Sequence, residues 1–165
     1  MKLAADAASD LRTEIYRVTD SGFLECRSLV GARWSPWSRA PFERKAAGVA
    51  ALSGWPEQIE VFVLDCRGGV WNRWWWHERG WTPEQGFNPL GQPFSRGTVR
   101  GFSAINAGDG HFNVFVELDD GRNAMLPHVA GPDGPYWKRC MEPIALGDGW
   151  WPAYSPVPSG VYRSS

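Results

Sequence analysis

The feature that most constrains this chain is a hairpin that recurs. Residues 61–81 read VFVLDCRGGVWNRWWWHERGW: an apolar strand, an Asp and Gly turn, a second strand carrying four tryptophans, and a Gly-Trp stop. Two further stretches follow the same plan. Pro41-Phe42-x-Arg44 is matched by Pro93-Phe94-x-Arg96, Val61-Phe62-Val63 by Val114-Phe115-Val116, and turn aspartates stand at Asp20, Asp65 and Asp119. The spacing is about 45 to 54 residues, which is the range of a four-stranded repeat unit. A hairpin of this kind cannot bury its own faces, so copies must stack on one another.

Composition supports an all-β chain. Nineteen glycines and thirteen prolines among 165 residues imply many turns, and no window carries a sustained helical stripe. Eleven tryptophans imply a periodic structural role, a stacking surface for ligands, or both. A net charge near −1 with scattered basic residues argues against a nucleic-acid partner. The start MKLAADAASDL has neither a signal peptide's apolar region nor a membrane span. Cytoplasmic synthesis is therefore expected, with a non-classical route if the protein is released or exported. Cys26, Cys66 and Cys140 fit neither a disulfide framework nor a zinc site and read as small buried hydrophobes.

Three units follow, at about residues 3–42, 43–92 and 93–147, with residues 148–165 as a C-terminal tail. Each is expected to hold four antiparallel strands. The first is a small-residue run (Leu3 to Ala8, Gly48 to Leu52, Gly101 to Asn106), suited to a crowded axis where units converge. The second is apolar and buried on both faces. The third is the Trp-rich strand of unit two, and the fourth surrounds a closing tryptophan. Pro127 falls inside the third strand of unit three, which predicts an altered or exposed edge there. Ser159 to Ser164 in the tail reads as an orphan strand able to close a ring within the chain or on a partner.

The pattern VFVxDxxGGVWNRWWW…GW…F.PLG, with small-residue strands before it, resembles the repeat of bacterial fucose-binding, seven-bladed propeller lectins of the Photorhabdus lectin type. The match is closest over Ile59 to Gly91 and looser over the other two units. The resemblance implies β-propeller blades with shallow, Trp-lined sugar pockets between them, and fucose-like or O-methylated sugars as ligands. Those lectins hold a whole ring in one chain, whereas three units cannot close one. A homo-oligomer is therefore expected, most simply a twofold dimer of six blades. Truncation of a longer protein is the competing explanation, and a start at Met1 where a unit begins favours a natural short chain.

Strand alternation puts Trp71 and Trp75 on one face of their strand and Trp74 and Trp76 on the other. One or two of these would present an indole face to a sugar, while the rest pack between units. Arg73, and Arg27 at the matching place in unit one, are candidates to bond ring hydroxyls. The closing tryptophans Trp34, Trp37, Trp81 and Trp137 sit at equivalent places and read as architecture, with Trp34, Trp37 and Trp81 also candidates for ligand contact, and Arg17 with Glu25 could imitate the Arg and Glu pair of other fucose lectins. The turn at Asp65 departs from the sialidase Asp-box, and no loop gathers the oxygen ligands calcium needs. His77, His111 and His128 have no nucleophile motif beside them. A non-catalytic lectin without cofactor or metal is the expected function. A structural or protein-interaction propeller is the alternative, with sialidase-like hydrolysis behind it.

Overall fold

A computed structural model describes residues 2–8, 12–55, 57–91, 99–108, 111–131, 134–136 and 144–148. The expectations placed on Pro93, Phe94, Arg96, Trp137, Cys140 and the tail beyond Asp148 lie outside them.

The described residues are all-β and form three antiparallel sheets of five strands each. The first contains β1 (Lys2–Ala8), β2 (Arg12–Val18) and β3 (Leu24–Val30), with β4 (Arg33–Trp34) and β5 (Ser38–Arg39) both paired to β3. The second contains β6 (Ala46–Leu52), β7 (Gln58–Asp65) and β8 (Val70–Trp76), with β9 (Gly80–Thr82) and β10 (Asn88–Gly91) both paired to β8. The third repeats the plan with β11 (Val99–Gly108), β12 (His111–Leu118) and β13 (Arg122–Gly131), and with β14 (Gly134–Tyr136) and β15 (Ile144–Asp148) both on β13. Where a single fourth strand was expected, each sheet therefore has two short segments sharing one edge. In the second sheet Pro83 and Gly86 (φ 75°) divide them, and neither suits a continuous ladder.

That division explains how Pro127 is tolerated. The β12–β13 ladder runs from His111↔Val129 to Glu117↔Asn123 without a register shift, so no irregularity marks the proline. Pro127 falls between the part of β13 paired with β15, which ends at Met125, and the part paired with β14, which begins at Val129. A residue without an N–H costs no ladder bond in that interval.

The sheets stack through two apolar layers. All eight residues of β7 are buried, and alternation sends them both ways. Ile59, Val61 and Val63 join Tyr16, Val18 and Leu24 of the first sheet, whereas Phe62 and Leu64 join Phe112, Val114 and Val116 of the third. Strand β6 lies against both β1 and β11, so the small-residue strands converge. Their size is a steric requirement: a Cβ on Gly48 would lie 2.9 Å from that of Phe102.

Turn chemistry sets the register. Asp65 Oδ1 accepts from the backbone N–H groups of Arg67 and Gly69 at 2.8 and 2.9 Å, and its Oδ2 accepts from Trp71 Nε1 at 3.0 Å. Gly68, at φ 89°, makes the left-handed step that this hairpin needs. The connector Pro41-Phe42-x-Arg44 anchors on the same turn. Phe42 meets Trp71 edge-on at 5.9 Å, while Arg44 lies over that indole at 4.7 Å and 3.6 Å from Asp65. Cys66, read from sequence as a buried hydrophobe, is exposed because it belongs to this turn, and Cys26 is half-buried.

Gly48→Ala forces β6 away from β11 and should lower the unfolding free energy by about 1–3 kcal/mol, measured by urea denaturation.

Candidate functional site

The candidate residues separate into three places. On β8, Trp71, Arg73 and Trp75 face the first sheet, and Trp81 from β9 pairs with Trp75 on that side. Trp74 and Trp76 face the third sheet, where Trp76 lies 5.7 Å from Trp55 and Trp55 lies 6.1 Å from Phe112. Arg27, Trp34 and Trp37 occupy the opposite, outward face of the first sheet, together with Arg17 and Glu25.

Register shows that two of these places are copies of one another. Arg73 pairs with Val61 and Arg27 with Ile15, while Trp81 pairs with Trp75 and Trp34 with Leu29. Each arginine stands at the interval between the two fourth-strand segments. Each also stacks on the tryptophan of the first segment, at 4.5 Å for Arg73 over Trp81 and 4.4 Å for Arg27 over Trp34. In the third sheet the same register position, opposite Val114, is Leu126, so the second cleft is apolar where the first is cationic.

The two arginines have different tasks. Arg73 is 8% exposed, and its Nε and Nη2 donate to the carbonyls of Pro83 and Glu84 at 3.1 and 2.7 Å. It thereby holds the loop between β9 and β10 in place of the missing ladder. Burial pulls its guanidinium down from the ordinary arginine value, partly opposed by the nearby Tyr16, Cys26 and Glu14. Arg27 is less enclosed. It also lies 5.6 Å from the Trp37 ring, and its Nε is buried with no acceptor. Beside it Arg17 binds Glu25 at 2.6 Å and lies over Trp37 at 4.1 Å. Trp34 is 39% exposed, one of the exposed large hydrophobics among the described residues, whereas Trp75 is 8% exposed and core.

Two residues of the first cleft escaped the sequence reading. Arg12 places its guanidinium 5.4 and 5.8 Å from the rings of Trp75 and Trp81. It donates to Glu14 and to Ser28, whose hydroxyl donates to Glu14 at 2.7 Å. Glu14, 1% exposed, occupies the repeat position of Glu60, also 1% exposed, and of Asn113. A polar residue recurring before I-Y-R, V-F-V and V-F-V was the available signal. Glu60 has no cation beside it among the described residues and accepts from Asn72 at 2.8 Å and Gln58 at 3.1 Å. Burial raises its carboxyl to about 7 against those two bonds, and burial likewise raises Asp6, bonded by Ser53, to about 6.

This chemistry suits recognition by donors and aromatic faces. Among the described residues no group of three or more His, Cys, Asp or Glu side chains is placed to hold a metal ion, and no helix is long and apolar enough to cross a membrane.

Neither a protein-family model nor a curated protein matches the sequence. Among solved structures, the chain is similar to the BP39L lectin from Burkholderia pseudomallei, with a TM-score of 0.61 and 22% identity. The chain has a lectin-like fold. The alignment covers 88% of this chain and 41% of that lectin, so this chain spans less than half of its structural neighbour.

Two outcomes follow from the polar groups. Glu60 and Asp6 bind protons more tightly folded than unfolded, so their contribution to stability is fully present below the ordinary carboxylate values and is lost as pH rises through about 6 and 7. Denaturation at pH 5 and pH 8 should show Glu60→Gln losing less stability over that interval than wild type, by on the order of 2 kcal/mol. Arg73→Ala leaves two loop carbonyls without donors and should cost about 3 kcal/mol, with hydrogen exchange accelerated at residues 83–87.

Proposed function

We propose that this chain is a non-catalytic carbohydrate-binding protein. Its three sheets act as blades of a β-propeller completed by association of copies, and sugars bind on indole faces beside the inter-sheet arginines. The observation that carries this reading is the repeated arginine–tryptophan stack, Arg27 on Trp34 and Arg73 on Trp81, one copy of which leaves its indole open. A sugar's C–H face stacks on such a ring for about 1 kcal/mol, and adjacent guanidinium donors fix the orientation of its hydroxyls. Single sites of this strength are weak, and several presented together offset that weakness. The lectin-like fold supports the reading, and the sequence resemblance points to fucose-like or O-methylated sugars.

Trp34, Trp37 and Arg27 are the leading contacts, with Trp81 and Arg12 at the rim of the first cleft. The structural or protein-interaction alternative draws on a specific observation too. Trp75 is core, Trp71 and Trp81 pack against that core, and Arg73 is committed to main-chain carbonyls.

Glycan-array screening followed by calorimetric titration separates the two. Trp34→Ala and Arg27→Ala should each weaken sugar binding by about tenfold or more while the protein stays folded, as loss of a stack or a charged donor does. Trp75→Ala should instead cost about 3–5 kcal/mol of stability. Flat titrations of folded wild-type protein against every glycan class would leave the structural reading standing.

A further inference from the structure

Consecutive sheets are tied together at the ends of their small-residue strands, and the two ties differ in chemistry. Register makes Asp6, Leu52 and Ile105 equivalent, opposite Glu14, Glu60 and Asn113, so the residues that follow them, Ala7, Ser53 and Asn106, are equivalent too. Asn106 reaches back from the third sheet, its Nδ2 donating to Ser53 O at 3.0 Å. Ser53 reaches back from the second sheet in the same way, its Oγ lying 2.9 Å from Ala7 O. The amide brings enough hydrogens of its own. The hydroxyl does not.

Ser53 Oγ also lies 2.6 Å from Asp6 Oδ2 and 2.7 Å from Gln58 O. A hydroxyl carries one hydrogen, and two of its three neighbours here are carbonyl oxygens, which only accept. With Asp6 ionised all three are acceptors, and two of these close contacts have no hydrogen between the oxygens. A proton on Asp6 turns one of them into a bond: the carboxyl donates to Ser53 Oγ, and the hydroxyl donates onward to Gln58 O or Ala7 O. The ladder agrees with that assignment. Asp6 stands directly opposite Glu14, where two negative charges repel. Glu14 has Arg12 as its cation, whereas among the described residues Asp6 has none.

The titratable and charged groups that face Asp6 come mainly from β2. They are Glu14, Arg12 and, further along the strand, Tyr16, with Arg73 and Cys26 acting on Tyr16. Its own strand adds Lys2 at the far end, β6 adds none, and β7 adds on this side only Asp65, in the turn opposite the other end of β6. Burial carries the Asp6 carboxyl up to about 6 against its bond to Ser53.

We propose that Asp6 and Ser53 form a proton-operated latch between the first and second sheets, closed while the carboxyl donates to the hydroxyl and released when that proton passes to solvent. Release frees the end of β1 from the Ser53 turn. Through the Asp6–Glu14 pair it also reaches Arg12, which lies over Trp75 and Trp81 in the first cleft. The second cleft has no such device, because Leu52 stands there in the place of Asp6 and the Asn106 amide in that of Ser53. The latch is fully closed below the ordinary aspartate value and opens as pH rises through about 6. It does not depend on what the cleft binds.

Hydrogen exchange of the full chain at pH 5 and pH 8, corrected for intrinsic amide rates, tests it. Amides of residues 4–8 and 52–54 should exchange faster at pH 8 by about tenfold or more, as local opening permits, while those of residues 105–108 stay unchanged. Asp6→Asn gives the same hydroxyl a permanent amide donor and should exchange slowly at both pH values. Ser53→Ala removes the receiver and should exchange fast at both. The wild-type pattern should persist in Glu60→Gln, which takes away the carboxyl of the second cleft. Carbon-13 spectra of aspartate-labelled protein should show one carboxyl, absent from Asp6→Asn, still protonated at pH 5. Equal wild-type exchange at the two pH values, an unchanged pH dependence in Asp6→Asn, its loss in Glu60→Gln, or an Asp6 carboxyl ionised at pH 5 each overturns the proposal. A merely structural bond would protect the two segments equally at both pH values. Should Ser53→Ala not fold, Asp6→Asn and the carbon-13 spectra carry the test.

Discussion

Burial of β7 on both faces is the constraint on which the other elements depend. A strand with Ile59, Val61 and Val63 on one side and Phe62 and Leu64 on the other needs an apolar layer above and below it. The first and third sheets supply those layers, and among the described residues no further sheet lies on their other faces. Stability in such a stack is held mainly in contacts between neighbours. Fixing the spacing of the second sheet therefore fixes the depth of both clefts, and with it which tryptophans are closed in and which remain at a rim.

Polar groups inside the stack have definite structural duties. Glu14 gathers Arg12 and Ser28, Glu60 gathers Gln58 and Asn72, and Arg73 holds the carbonyls of a broken edge. Each satisfies hydrogen bonds that an apolar interior would leave unmade. The same groups bring guanidinium and indole surfaces together, so packing draws on the same side chains that the proposed sugar recognition would use. Exposure is what separates the two roles, and exposure follows from a residue's place in the stack rather than from its type.

Much of this was legible in the sequence because strand periodicity is simple. Alternation separated Trp71 and Trp75 from Trp74 and Trp76, repeat matching placed Arg27 with Arg73, and the apolar run of β7 announced burial on two sides. The partners of Arg73 were not legible, since main-chain carbonyls of a loop leave no mark in residue identity. Neither was the division of each fourth strand, which depends on how loops such as 83–87 turn across the sheet. Pro127 was informative: an altered or exposed edge was expected there, and the outer edge of β13 is unpaired between Met125 and Val129. Cys66 misled because a small residue beside an apolar strand reads as core, whereas the Asp65 turn carries it outward.

The broken outer edges have a further consequence. A long, straight edge strand is a template for another chain, and unchecked edge pairing leads to fibrils. Here the second sheet ends in segments of three and four residues, Gly80–Thr82 and Asn88–Gly91, separated by a loop that Arg73 ties down. A passing strand finds no continuous row of donors and acceptors to extend. A chain rich in tryptophan and β-structure is thereby protected from amyloid-like growth through this edge.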